Sequence, residues 1–258
     1  MTEMNYRSEP EETIFIDLPN TDGLKIKGIL RGSFDQPLAV IVHGLPGTGN
    51  ELLPYLSARY LYEQGIASLR LFMYDSEPYT RDLIDCTLPV HVTDFDTVID
   101  YLRSKKVKQV FAIGHSYGGL TILRSKSKLD GAVLWDPTHG EVFHKPESVE
   151  WRKNSRQKRV DDLILYLDGW GYIEPKAIDD EQKIMGDTTN LAADKGYPLK
   201  IVAAGKGIMT ELQEKYINAA NEPKKLTVIK DGSHQFDDSD DVVLRLFEET
   251  SSWFKRHI

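Results

Sequence analysis

Residues 112–119 read AIGHSYGG. Gly114, Ser116 and Gly118 set the spacing G-x-S-x-G. Before them runs VKQVFAI, apolar and rich in β-branched and aromatic residues, as a buried strand should be. After them GLTILRSK has a helical composition. A serine at a sharp strand-to-helix turn is held in a strained backbone conformation. Its hydroxyl is thereby exposed at the carboxyl end of the strand. Glycines two positions away on either side remove side chains that would collide with the adjoining strand and helix. A glycine-rich surface turn carrying an incidental serine would need neither the spacing nor the flanking elements.

Working outward, short apolar runs alternate with longer amphipathic ones. IFIDLP (14–19) and LKIKGILRG (24–32), joined by NTDG, read as an antiparallel pair at a sheet edge. PLAVIVHG (37–44), IASLRLFMY (66–74), VKQVFAIGHS (107–116), GAVLWDP (131–137), LKIVAAG (199–205) and LTVIKDG (226–232) read as strands buried on both faces. Helical patterns span 50–64, with Asn50 as N-cap and Glu51 in the first turn, then 89–104, 118–127, 210–221 and 240–257. Strand and helix in alternation imply right-handed crossovers. The expected fold is α/β, a mostly parallel eight-stranded sheet flanked by helices. Sixty residues between Pro137 and Pro198 carry no clear strand. A structureless loop of that length does not suit a compact domain. With helical stretches in 149–167 and the aromatics Tyr166, Trp170 and Tyr172, residues 138–197 are expected to form a small, mostly helical lid. Residues 1–137 and 198–258 would form the core.

Bulk composition narrows the function. A net charge of −8 and a pI near 5.4 repel a phosphate backbone, so no nucleic-acid partner is expected. The single cysteine, Cys86, can form no internal disulfide and offers no zinc cluster. The N-terminus is polar and acidic, and no apolar run approaches the length of a membrane span, so a cytoplasmic location is expected.

A serine hydroxyl is a poor nucleophile until a base takes its proton. His234, in TVIKDGSHQFDD just after the last strand, is the candidate base. It lies in a short loop at the same sheet edge as Ser116. His43, His91, His115, His139, His144 and His257 read as surface or core residues. An oxyanion needs two N–H donors. One candidate is the amide of Tyr117, at a helix N-terminus. The other is the amide of Leu45 in VHGLPGTGN, since Pro46 has no N–H. That loop lacks the lysine and serine of a nucleotide-binding G-x-x-x-x-G-K-[ST] motif.

Together the HGLPG loop, the GHSYGG turn, the late His234, the insertion after the sixth strand and the serine-then-histidine order resemble the α/β-hydrolase family over nearly the full chain. The resemblance implies a serine, histidine and acid cleaving an ester-like bond through an acyl-enzyme, with no cofactor and no metal. It says little of the substrate. The family's acid usually follows the seventh strand, but here IVAAGKGIMTELQEKY has Gly207 and Ile208 at that point. Asp136, at the end of the sixth strand, is the substitute favoured by chain order. Glu211, in the next helix, is the alternative, and a chain with no acid is the third. Asp136 could also merely cap the turn at Asp136-Pro137. Asp231 and Asp237 are too near His234 in sequence to reach back to its ring, and Asp75 is expected to satisfy local backbone groups.

The expected function is therefore a serine hydrolase, a carboxylesterase acting on a small or medium ester. Thioesterase, peptidase and acyltransferase activity would use the same groups, and a homologue that only binds a ligand or partner protein stays open. The lid aromatics Trp151, Tyr166, Trp170 and Tyr172 read either as pocket walls or as the lid's own core. Five positive charges within 152–159 read as a solvated face or as a lure for an anionic substrate. Oligomeric state is not legible.

Overall fold

A computed structural model describes residues 11–168 and 172–258. Eight strands form one sheet in the order β1-β2-β4-β3-β5-β6-β10-β11. β1 (Glu11–Asp17) and β2 (Lys25–Arg31) pair antiparallel at one edge, and β2 is antiparallel to β4 (Ala67–Phe72). From there β4, β3 (Leu38–Val42), β5 (Val110–His115), β6 (Gly131–Trp135), β10 (Leu199–Ala204) and β11 (Lys224–Ile229) run parallel. β3, β4, β5, β6 and β10 are buried throughout, the burial that their continuous apolar runs anticipate. Two charged residues interrupt those runs, and each is matched by a partly exposed carboxylate. Lys200 on β10 donates to Glu249, and Arg70 on β4 donates to Glu11.

Helices cover both faces and split the core in two. α2 (Leu88–Ser104) and α3 (Tyr117–Arg124) pack Phe95, Val98, Ile99, Leu120 and Leu123 into one core. α1 (Leu52–Glu63) and α8 (Asp240–Lys255) pack Leu53, Leu61, Leu246 and Phe254 into the other. α2 begins on Thr87, whose hydroxyl accepts from the Val90 amide, and α8 on Ser239, which accepts from Val242. α1 starts one residue later than expected. Its N-cap is Glu51, without a side-chain cap, while Asn50 instead accepts from Arg70.

The segment between β6 and β10 corrects the expectation of a mostly helical lid. It holds α4 (Pro146–Asn154), α5 (Lys176–Ile184) and α6 (Asn190–Ala193). It also holds a three-stranded antiparallel sheet of β7 (Gln157–Val160), β8 (Leu163–Tyr166) and β9 (Tyr172–Pro175). The helix expected over 149–167 stops at Asn154. Asp161, at φ 51°, begins a two-residue turn between Val160 and Leu163, which pair. LILY then alternates, with Ile164 and Tyr166 inward. Trp170 lies outside the described residues. α7 (Thr210–Ala219) takes Glu211 into its first turn, as expected.

Candidate active site

Sheet order brings the candidate residues together. β5 lies between β3 and β6, and β6 between β5 and β10. Ser116 follows the last residue of β5 and Asp136 the last residue of β6, while His234 sits in the loop after β11. The ladder continues past the strand ends. The Ser116 amide donates to the Trp135 carbonyl at 3.0 Å, and the Asp136 amide to Val202 at 2.8 Å.

Ser116 occupies φ 53°, ψ −118°, the strained turn that its motif anticipates. A Cβ at Gly114 would come within 2.7 Å of the Gly118 carbonyl group, and one at Gly118 within 2.4 Å of the Val42 oxygen. Neither neighbour is a flexible side chain, so the turn closes only around glycine at both positions.

His234 Nε2 lies 2.9 Å from Ser116 Oγ, and His234 Nδ1 lies 2.6 Å from Asp136 Oδ2. With Nδ1–H donating to the carboxylate, Nε2 is left to accept from the serine hydroxyl. Asp136 is fully buried, and its Oδ1 also accepts from the Ala204 amide at 3.3 Å. Its backbone is left-handed, at φ 42°. Gly207 stands beside it, since a Cβ there would lie 3.5 Å from Asp136 Oδ2. The carboxylate from β6 thus reaches the space that an acid after β10 would use. Glu211 is the second residue of α7 and is not the partner of Nδ1. Asp75 pairs with Lys27 and accepts from the Ser76 amide, the local role expected of it.

The loop after β3 is pinned at several points. His43 Nδ1–H donates to the Gly44 carbonyl at 2.7 Å, and its Nε2 accepts from the Met73 amide at 3.1 Å. Gly47 donates to the Tyr74 hydroxyl, and Arg70 holds the Gly49 carbonyl. Burial pulls the His43 pKa down to about 4, so the ring stays neutral and keeps both bonds. Leu45 and Tyr117 both line the cavity beside Ser116. Among the described residues, no acceptor takes the amide of either one.

Two further contacts escaped the sequence reading. His115 Nε2–H donates to the His234 carbonyl at 2.8 Å, and the two rings lie 5.0 Å apart. Burial, with the nearby His234 charge, lowers the His115 pKa to about 3. Thr138 Oγ1 stands 3.4 Å from Ser116 Oγ. The histidine inside GHSYGG was the available signal for the first. Nothing local marks the second, because Thr138 approaches only where β6 leaves the sheet.

The cavity measures about 830 Å³. The inserted segment contributes Phe143, Trp151, Arg152 and Tyr172 to its walls. Among the described residues, no group of three or more His, Cys, Asp or Glu side chains is arranged to hold a metal ion. No helix of the described residues is long and apolar enough to cross a membrane.

Comparison with known proteins agrees with this architecture. A family model described as the alpha/beta hydrolase family matches residues 30–245. Among solved structures, the chain is similar to Est1E from Butyrivibrio proteoclasticus with ferulic acid bound. The two are 22% identical with a TM-score of 0.70, over 95% of this chain and 98% of that one. An esterase from Pyrococcus furiosus is 14% identical with a TM-score of 0.71, over 96% and 91% of the two chains. The esterase domain of a Rhodothermus marinus protein is 16% identical with a TM-score of 0.65, over 96% and 98%. A comparison with curated protein sequences finds no match.

Proposed function

Because the chain belongs to the alpha/beta hydrolase family, we propose that it is a serine hydrolase, a carboxylesterase acting on small or medium esters. One observation carries this reading: the unbroken path from Ser116 Oγ through His234 to Asp136, at 2.9 and 2.6 Å. Ser116 Oγ attacks the ester carbonyl while His234 Nε2 takes its proton. The tetrahedral oxyanion accepts from the Leu45 and Tyr117 amides. Collapse expels the alcohol, which receives the proton from His234 and leaves an acyl group on Ser116. Water, deprotonated by His234, then releases the acid and regenerates the serine. Asp136 holds the ring in the tautomer that makes this possible and stabilises the imidazolium. Residues 138–197 act as a lid that shapes the substrate pocket.

A serine at the turn is what an acyl-enzyme requires. Thioesters, peptides and acyl transfer would use the same groups, and the esterase-like structural neighbours favour the ester. A binding-only role drew its support from the glycine at 207. With the Asp136 carboxylate beside that position, nothing specific favours it.

A fluorophosphonate probe tests the reading. We expect one label per chain on Ser116, abolished in Ser116→Ala. A folded wild-type protein that takes no label and cleaves no ester would overturn the proposal.

A further inference from the structure

The underside of the inserted segment has a chemistry of its own. Trp151 lines the cavity and is 40% exposed. Its ring stacks on Tyr166 at 4.8 Å and 26° and meets Tyr172 edge-on at 6.2 Å. Tyr166 is itself buried, and the Tyr172 hydroxyl is fixed on Glu174 at 3.0 Å. The indole is therefore a braced platform, and little rotamer freedom is lost when something packs on it. Phe143 adds a second ring to the same wall.

Charge restricts what that platform can take. The described lining residues include four carboxylates, Glu51, Glu147, Asp168 and Asp237, and, of lysine and arginine, Arg152 alone. Arg152 is already committed. It donates to Asp179 at 2.5 Å and to Gln182, and Glu174 lies 3.6 Å away. Of the basic run at 152–159, Arg152 alone is among the described lining residues, and Arg156 is held on Asp168. Among the described lining residues, an entering carboxylate would meet more like charge than opposite charge.

We propose that this wall is a subsite for an uncharged aromatic group of the ester substrate, with Trp151 as its stacking platform. The inference deepens the serine hydrolase reading and rests on it for turnover, but binding can be measured without it. Two matched ester pairs serve as probes: ethyl 3-phenylpropanoate against ethyl hexanoate, and 3-phenylpropyl acetate against hexyl acetate. In at least one pair the aromatic member should be favoured about three- to tenfold in kcat/KM. Trp151→Leu should bring that ratio toward one, and Trp151→Phe should keep most of it. Monoethyl adipate should be cleaved about tenfold more slowly than ethyl hexanoate at low salt, with the gap narrowing as salt is added.

Ratios near one in both pairs would overturn the proposal. So would an equal loss for all esters in Trp151→Leu, or adipate cleaved as fast as hexanoate. Should none of these esters be cleaved and Ser116 take no fluorophosphonate label, the serine hydrolase reading fails by itself. Binding of 3-phenylpropanol against hexanol, followed by tryptophan fluorescence in wild type and Trp151→Leu, still decides the subsite. Tighter aromatic binding lost in the variant supports it, and equal binding overturns it.

Discussion

Asp136 bears the sharpest test among single residues. Buried and bonded to His234 and the Ala204 amide, it cannot be replaced without disturbing the imidazole. Asp136→Asn keeps the shape but reverses the hydrogen bond at Nδ1, so kcat should fall by something like 10⁴. Gly207 offers a second route to the same ring, because its Cβ direction opens 3.5 Å from the carboxylate. Adding Gly207→Asp to Asp136→Asn should recover part of the lost kcat on an ester such as ethyl hexanoate. If the double variant is no faster than the single one, the claim that both positions serve one space is wrong. His115 acts differently. It touches no reacting atom and holds the His234 carbonyl, so it is a positioning residue. His115→Ala should lower kcat more than it changes KM, and His115→Gln, which can still donate, should restore part of the rate. Equal effects of Ala and Gln would reduce His115 to simple packing.

At the scale of elements, the turn from β5 into α3 sets the geometry and has no slack. Gly118→Ala would press a methyl group to within 2.4 Å of the Val42 oxygen in β3. We expect a loss of about 1–3 kcal/mol in denaturant unfolding, together with lost activity. An unchanged unfolding midpoint would contradict the packing described here. This is also where the sequence spoke most clearly. All eight strands of the main sheet were readable: five because strands covered on both faces are apolar throughout, and β1 and β2 because one-sided burial makes them alternate, whereas β11, read as buried on both faces, is an edge strand and only partly buried. The hairpin of β7 and β8 was not. QKRV is exposed along its whole length, so it carries no period, and its charges look the same on a helix. The identity of the acid stayed open for a different reason. Choosing between Asp136 and Glu211 depends on β6 lying beside β10 and on the room left by Gly207, both set by tertiary contact. Thr138 and the brace from His115 belong to the same class.

Over the whole molecule, buried histidines tie stability to pH. Burial lowers the pKa of His91 to about 3, with His43 and Arg81 adding repulsion, and those of His43 and His115 to about 4 and about 3. In the unfolded chain these groups protonate near 6.5. Below that pH the unfolded state binds more protons than the folded one, so stability must fall as pH drops from about 6.5 toward 4. Each histidine contributes a slope of up to about 1.4 kcal/mol per pH unit. His91 is the one to remove, since its Nε2 has no hydrogen-bond partner among the described residues and its ring packs against Tyr74 and Tyr117. His91→Phe should lose less stability between pH 7 and pH 5 than the wild type does. Identical pH dependence would show that His91 is not held neutral by burial.

The same long-range convergence underlies the central claim, that Ser116, His234 and Asp136 work as one unit although 118 residues separate the first two. Its most direct test is a mutant cycle on ester hydrolysis, comparing kcat/KM for Ser116→Ala, His234→Ala and the double variant. A unit lost once cannot be lost again, so the double variant should be no slower than Ser116→Ala alone. Losses that multiply would mean that the two side chains act independently, and the relay described here would be wrong.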